Sequence, residues 1–341
     1  MKNSGIGGQA VIEGIMMKNK EKYAVSIRLS DGSIITDVKE YRSITEKYKW
    51  LGLPFIRGSV NFIESMIVGM RTLTYSADFF EDEEDTSKEK KADKSAEDSV
   101  KNPSGEQAGT KEKTGEEKGF MTGWVLFGTI ALSMVLAIGL FMLLPQLVAE
   151  GLCTLLDFEV GGKFCAFVEG VMRLVIFIIY VLLISLMNDI KRTFMYHGAE
   201  HKSINCLEHG LELTVENVRK SSKEHKRCGT SFMIIVMVIA IIVFMLIPPI
   251  TGFHPVINFL LRFGLRLLML PVISGISYEF LKLAGRSNNP IVNILSKPGM
   301  WMQGLTTKEP DDSMIEVAIA SIEAVFDCRA FLEENFGEKN K

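Results

Sequence analysis

From about residue 119 to 149 the chain carries no charged side chain, and that run is long enough to cross a hydrocarbon core of about 30 Å. In such a core every backbone polar group must be satisfied within its own segment, so the run is expected to be a helix. Three further apolar blocks follow at about 164–187, 231–247 (ending at Pro248-Pro249) and 255–281. The expected fold class is therefore an α-helical polytopic membrane protein, with about four transmembrane helices and a small cytoplasmic α+β unit. A net charge of −3, made of acidic and basic runs that nearly cancel, leaves nucleic-acid binding without compositional support.

Basic residues set the orientation. Lys191, Arg192, Lys202, Arg219, Lys220, Lys223, Lys226 and Arg227 all lie between the second and third blocks, whereas the first and third connections carry almost no Lys or Arg. By the positive-inside rule the 190–230 segment is cytoplasmic, and both termini fall on that side as well. The expectation is a multi-pass protein of the cell membrane, with the lipid bilayer as its constant partner. The N-terminus has no long apolar signal core and places Glu13 within its short apolar stretch. Cys153, Cys165, Cys206, Cys228 and Cys328 are odd in number and show no paired spacing, which points to a reduced compartment.

Outside the apolar blocks the chain divides by pattern. Residues 1–80 read as a β-rich unit followed by an amphipathic helix: AVSIRL and SIITDV form two strands turning at Asp31-Gly32, and Pro54 opens a helical stripe of Phe55, Ile56, Ile63, Met66, Ile67 and Met70. That stripe suits either a membrane surface or packing on the β unit. Residues 81–118 hold almost no large apolar side chain and read as a disordered charged linker. Segments 119–189 and 231–281 carry the two helix pairs. The 282–341 segment reads as a short irregular stretch around KPGMW, followed by a helix beginning after Asp311, Asp312 or Ser313 that is expected to pack on the β unit or the membrane.

Four charges interrupt the apolar blocks. Glu169 and Arg173 are spaced i, i+4 and can pair on one helix face. Arg262 and Arg266 are also one turn apart, and for all four the readings are snorkelling to the interface or a polar cavity that takes an anionic headgroup.

The 190–230 segment holds four of the five histidines. His197, Glu200 and His201 form H-x-x-E-H. If helical, both imidazoles project from one face one turn apart, as two nitrogens on one metal ion require, and Glu200 sits where a carboxylate can serve as general base. His225 and Cys228, three residues apart, offer a further nitrogen and a thiolate, and Cys206 with His209 repeats that spacing. Four protein ligands would make a closed structural site, and three with an open position a catalytic one.

The blocks GGQAVIEGIMM, LPFIRGSVNFIESMIVGMRTL, HGAEHKSIN, HKRCGTSF, SGISYE and PGMWMQGLTTKEPDDSMIEVAIA resemble the YqhQ family of bacterial membrane proteins. The resemblance implies a metal-dependent enzyme without a defined reaction. It maps the family's motifs onto His197, Gly198, Ala199, Glu200, His201 and Lys202, and onto His225, Arg227, Cys228, Gly229 and Thr230. It departs at Lys226, where the pattern has proline, and leaves His209 outside. It also associates Glu13 and Arg57 with the same loop, as supporting groups or as an internal ion pair.

These readings converge on a hydrolase-like, metal-dependent enzyme at the cytoplasmic membrane surface. His197, His201 and one or both of His225 and Cys228 would bind Zn²⁺ or another divalent metal, Glu200 would be the base, and Glu13, Arg57 and Cys206 would be supporting residues. The substrate would be a lipid headgroup or a membrane protein. The alternative is a non-catalytic scaffold or assembly factor with a structural metal. A transporter is disfavoured by four spans without internal repeats. Oligomeric state is left open.

Overall fold

The computed structural model describes residues 2–96, 128–225, 227–250, 252–285 and 289–337. The N-terminal strands β1 (Gly7–Val11), β2 (Gly14–Asn19), β3 (Lys22–Arg28) and β4 (Ile34–Glu40) form one antiparallel meander in the order β1-β2-β3-β4. Residue 14 pairs with 27 and residue 19 with 22 across β2 and β3. The expected turn at Asp31-Gly32 joins β3 to β4, with Asp31 Oδ1 accepting from the Ser33 amide at 2.8 Å. Alternation sends Ile15, Met17 and Ala24 to one face and Val11, Met16, Val25 and Ile27 to the other.

Both faces are covered. A short helix α1 (Ile44–Lys47) leads to α2 (Ile56–Ala96), whose Val68 joins the Val11/Met16/Val25/Ile27 cluster. The helix thus packs on the β unit, while the expected stripe of Ile56, Ile63, Met66, Ile67 and Met70 stays exposed along its other side. α2 continues through Ala96, into the charged 81–118 segment. The remainder of that segment, with the start of the first apolar block, lies outside the described residues.

Among the described residues four helices are long and apolar enough to cross a membrane: α3 (Gly128–Leu155), α4 (Lys163–Ile184), α7 (Gly229–Leu246) and α8 (Pro255–Ala284). Between α4 and α7 lie α5 (Asn188–Glu208) and α6 (Val215–Lys220), so the His/Cys-rich loop is mostly helix. A disulfide joins Cys153 at the end of α3 to Cys165 at the start of α4. This corrects the expectation of unpaired cysteines: the turn between two antiparallel helices brings the two Cα atoms to 6.1 Å, a closeness that cysteine spacing alone does not reveal.

The KPGMW stretch is also not irregular. It lies within α9 (Pro290–Thr306), capped by the Asn289 side chain on the Ile291 amide, with Pro290 at the first turn and Pro298 tolerated inside. The terminal amphipathic run is two helices, α10 (Asp312–Glu323) and α11 (Cys328–Phe336), capped by Asp311 and Asp327. α10 buries Met314, Ile315, Val317, Ala318 and Ile322 against β2, β3 and α5. Truncating one large member, as in Met314→Ala, costs about 2–5 kcal/mol.

The four charges that interrupt the apolar helices pair inside the helix bundle rather than pointing out of it. Arg173 donates to Glu169 at 2.7 Å, Arg266 also pairs with Glu169, and Arg262 donates to Glu150 of α3 at 2.9 Å.

Candidate metal centre

α5 is the scaffold of the site. Its stretch from Tyr196 to Glu208 is almost wholly buried, between the sheet and α10 on one side and the ends of α7 and α9 on the other. Such packing needs small residues. A Cβ on Gly198 would lie 2.0 Å from the Lys308 carbonyl oxygen, so only glycine lets the segment after α9 run this close. Phe194 accepts from the Lys308 amide at 2.9 Å, and the close run of that segment is fixed there.

His197 and His201 stack edge to face, one turn apart, with ring centroids 4.4 Å apart. Each gives its Nδ1 to a backbone carbonyl: His197 to Thr306 at 2.9 Å and His201 to Lys223 at 2.6 Å. A carbonyl only accepts, so both Nδ1 atoms carry hydrogen and both rings aim Nε2 inward. The Thr306 carbonyl belongs to the last turn of α9, where helical carbonyls lack partners within the helix. Carbonyl partners of this kind orient metal-binding imidazoles in known sites.

Cys228 meets them from the N-terminal end of α7, where backbone amides and the helix dipole favour a thiolate. Its Sγ lies 3.2 Å from His197 Nε2 and 3.1 Å from Thr230 Oγ1. One ligand atom from each of His197, His201 and Cys228 falls within 4.8 Å of the other two. Burial opposes both charges of the His197–Cys228 pair, but their mutual attraction outweighs it. It lifts His197 to about 9 and holds the Cys228 thiol well below its ordinary range.

Glu200 completes the arrangement. It is 5% exposed, and burial raises its carboxyl above the ordinary range although the Gly8 amide donates to it. A Cβ on Gly8 would stand 3.0 Å from Glu200 Cδ and 2.7 Å from the Met16 oxygen, so β1 approaches the carboxyl closely because residue 8 is glycine. Glu200 Oε2 has no hydrogen-bond partner among the described residues. A cavity of about 100 Å³ is enclosed by His197, Glu200, His201, Cys228, Gly8 and Arg227 among others. Two inward Nε2 atoms, a thiolate and an unpartnered carboxylate oxygen around one cavity fit a divalent ion of the zinc class: three protein ligands with a fourth position left open.

The other expected residues lie elsewhere. His225 borders the cavity, but its backbone is clamped by Gln303 in both directions, at 2.9 and 2.6 Å, and its ring sits 3.7 Å from Glu208. It stands outside the convergent trio. Burial alone would raise Glu208, yet His225, Arg227 and the Ser4 amide bring it down to about 2. Cys206 is on the far side of α5, in the core with Leu207 and Met314, and donates to the Glu212 carbonyl at 3.4 Å. Glu13 pairs with Arg192 and accepts from Tyr196, fixing the β1–β2 turn on α5. Arg57 pairs with Glu279 of α8 at 2.6 Å. Both are internal ion pairs away from the cavity. Thr230, named by the loop motif, does stand beside Cys228; sequence reasoning missed Gly8 and the carbonyls of Thr306 and Lys223, and of these only the glycine pair Gly7-Gly8 carries a visible signal.

A family model described as "Protein of unknown function (DUF1385)" matches residues 53–328. The chain is 33% identical over 335 residues to "Uncharacterized protein YqhQ" of Bacillus subtilis (strain 168), across 96% of this chain and 94% of that protein. No solved structure matches. The chain belongs to the DUF1385 family.

Proposed function

We propose that this member of the family is a membrane-embedded, metal-dependent hydrolase acting on a lipid headgroup at the cytoplasmic surface. The observation that carries the reading is the trio His197, His201 and Cys228, converging on a cavity that also holds the unpartnered Glu200 oxygen. A divalent ion bound by the trio would supply Lewis acidity. Glu200, buried and facing the same cavity, takes a proton from the attacking water and returns it to the leaving oxygen. The Gly8 amide holds that carboxyl in place, and the Thr306 and Lys223 carbonyls hold the imidazoles.

The placement in a membrane rests on the four apolar helices and on the charge map. α5, rich in basic neighbours, leaves one end of α4, while the Cys153–Cys165 disulfide closes the other end. An oxidised pair suits the outer side, which supports cytoplasmic placement of the sheet, α5 and α10. A lipid substrate is supported by a second cavity, of about 830 Å³, between the sheet, α2 and the ends of α7 and α8. Lys18 and Lys20 line its polar wall, Phe62, Met66 and Met70 its apolar wall, and it shares Arg227 and Gly229 with the small cavity.

A structural staple is the competing reading, favoured by the depth of the ligands: His201 is 1% exposed. The test is metal-loaded protein in detergent, incubated with defined phospholipids, with products read by mass spectrometry. The hydrolase reading expects headgroup release that falls by about 10²–10⁴-fold in Glu200→Gln at unchanged metal content. Release that is absent, or equal in wild type and Glu200→Gln, would favour the staple.

A further inference from the structure

Five charged side chains from three helices meet inside the apolar bundle, away from the metal centre. Arg173 and Glu169 pair on α4, and Arg266 of α8 binds the second carboxylate oxygen of Glu169. One turn earlier on α8, Arg262 donates through Nε and Nη2 to Glu150 of α3, at 3.1 and 2.9 Å, and through Nη1 to the Ile250 carbonyl at 3.2 Å. Arg173 Nε goes to the Phe141 carbonyl at 2.8 Å. Glu169 is 3% exposed, and Arg262 and Arg266 are each 9% exposed.

The charges do not balance. Counted by formal charge, the cluster holds three arginines, which keep their protons in proteins, and two carboxylates. Three cations therefore face two anions in this cluster, and one positive charge is left over in surroundings of low polarity, where an uncompensated charge is costly. The excess has a location. Among the described residues Arg266 Nη1 has no hydrogen-bond partner, and Arg262 and Arg266 together border a small cavity of about 30 Å³, walled also by Gly161, Ala166, Phe244 and Ile247.

We propose that this cavity binds one small monovalent inorganic anion of the halide class, which accepts from Arg266 Nη1 and neutralises the surplus charge. The valence follows from the count, three against two. The position follows from the fully buried Arg266 Nη1, which has no hydrogen-bond partner among the described residues, and from the cavity that Arg266 borders. The site is independent of the metal centre and of any hydrolysis.

The test uses the full chain purified in neutral detergent, with chloride replaced by gluconate and then chloride or bromide titrated back while thermal unfolding is followed. The expected result is a saturable upward shift of a few degrees with either halide, as for any ligand that binds only the folded state. Arg266→Met brings the cluster to two cations and two anions, so it should fold without chloride and lose the dependence. Melting of the wild type that is the same in chloride and gluconate would overturn the proposal, as would a chloride dependence that survives in Arg266→Met. Should that variant fail to fold, anomalous scattering from bromide-soaked wild-type crystals decides. A peak within hydrogen-bond reach of Arg266 Nη1 supports the site, and its absence there refutes it.

Discussion

Metal binding at the trio should release the proton that His197 shares with Cys228. In the metal-free protein the His197 Nδ1–H is fixed on the Thr306 carbonyl. Its Nε2 also holds a proton, because the thiolate beside it outweighs the opposing effect of burial and lifts the imidazole to about 9. An ion that takes Nε2 must displace this proton, so affinity rises with pH and levels off only above about pH 9. One proton makes the slope tenfold per unit. Between about pH 6.5 and about pH 8.5 the gain is about a hundredfold, or about 2.7 kcal/mol at about 1.36 kcal/mol per unit. The Cys228 thiol, held well below its ordinary range by the His197 imidazolium against the opposing effect of burial, is expected to add no second proton. The assay is calorimetric titration of Co²⁺ into chelator-stripped protein in two buffers of different ionisation enthalpy. The thiolate-to-cobalt charge-transfer band monitors Cys228, and Glu200→Gln is run alongside so that the raised carboxyl of Glu200 does not enter the proton count. A pH-independent affinity, or two protons released in Glu200→Gln, would refute the imidazolium–thiolate account.

Three further outcomes follow from the geometry. His225→Ala should keep one metal per chain while losing about 1–3 kcal/mol of stability, since it strips a neighbour from buried Glu208; loss of metal in a folded variant would make His225 a ligand. Gly198→Ala should destabilise the protein by about 1–3 kcal/mol, because its Cβ would sit 2.0 Å from the Lys308 oxygen, and a neutral melting curve would contradict the close packing of α5. Opening the Cys153–Cys165 bond by Cys153→Ser should cost about 3 kcal/mol for a loop of this length, with a sequence separation of 12. Reductant should then lower the melting temperature of the wild type and leave that of Cys153→Ser unchanged.

What was legible in the sequence follows the range of each signal. The four apolar helices show in composition, and the meander shows in alternation and in Asp31-Gly32. The one-face pairing of His197 with His201 shows in a spacing of four, as does the Glu169–Arg173 pair. Longer-range choices were not legible. His225 and Cys228 are equally good ligands on paper, and only the entry into α7 turns the sulfur inward while Gln303 holds His225 aside. The partners of Arg262 and Arg266 come from α3 and α4, far along the chain, so pairing across helices could not be told from snorkelling. The carbonyls of Thr306 and Lys223 have no sequence signature, because every residue has a carbonyl and the fold alone decides which are aimed at a ring. The KPGMW stretch read as irregular because it holds Pro298 and Gly299, yet α9 runs through both, with Pro298 on its exposed side.

Everything proposed for the site depends on His197, His201 and Cys228 holding one metal ion. Elemental analysis of detergent-purified wild type beside His197→Ala, His201→Ala and Cys228→Ala tests it most directly. The wild type should carry about one divalent ion per chain and each folded variant almost none; wild-type protein that stays metal-free after incubation with zinc, or variants that retain a full complement, would rule the shared site out.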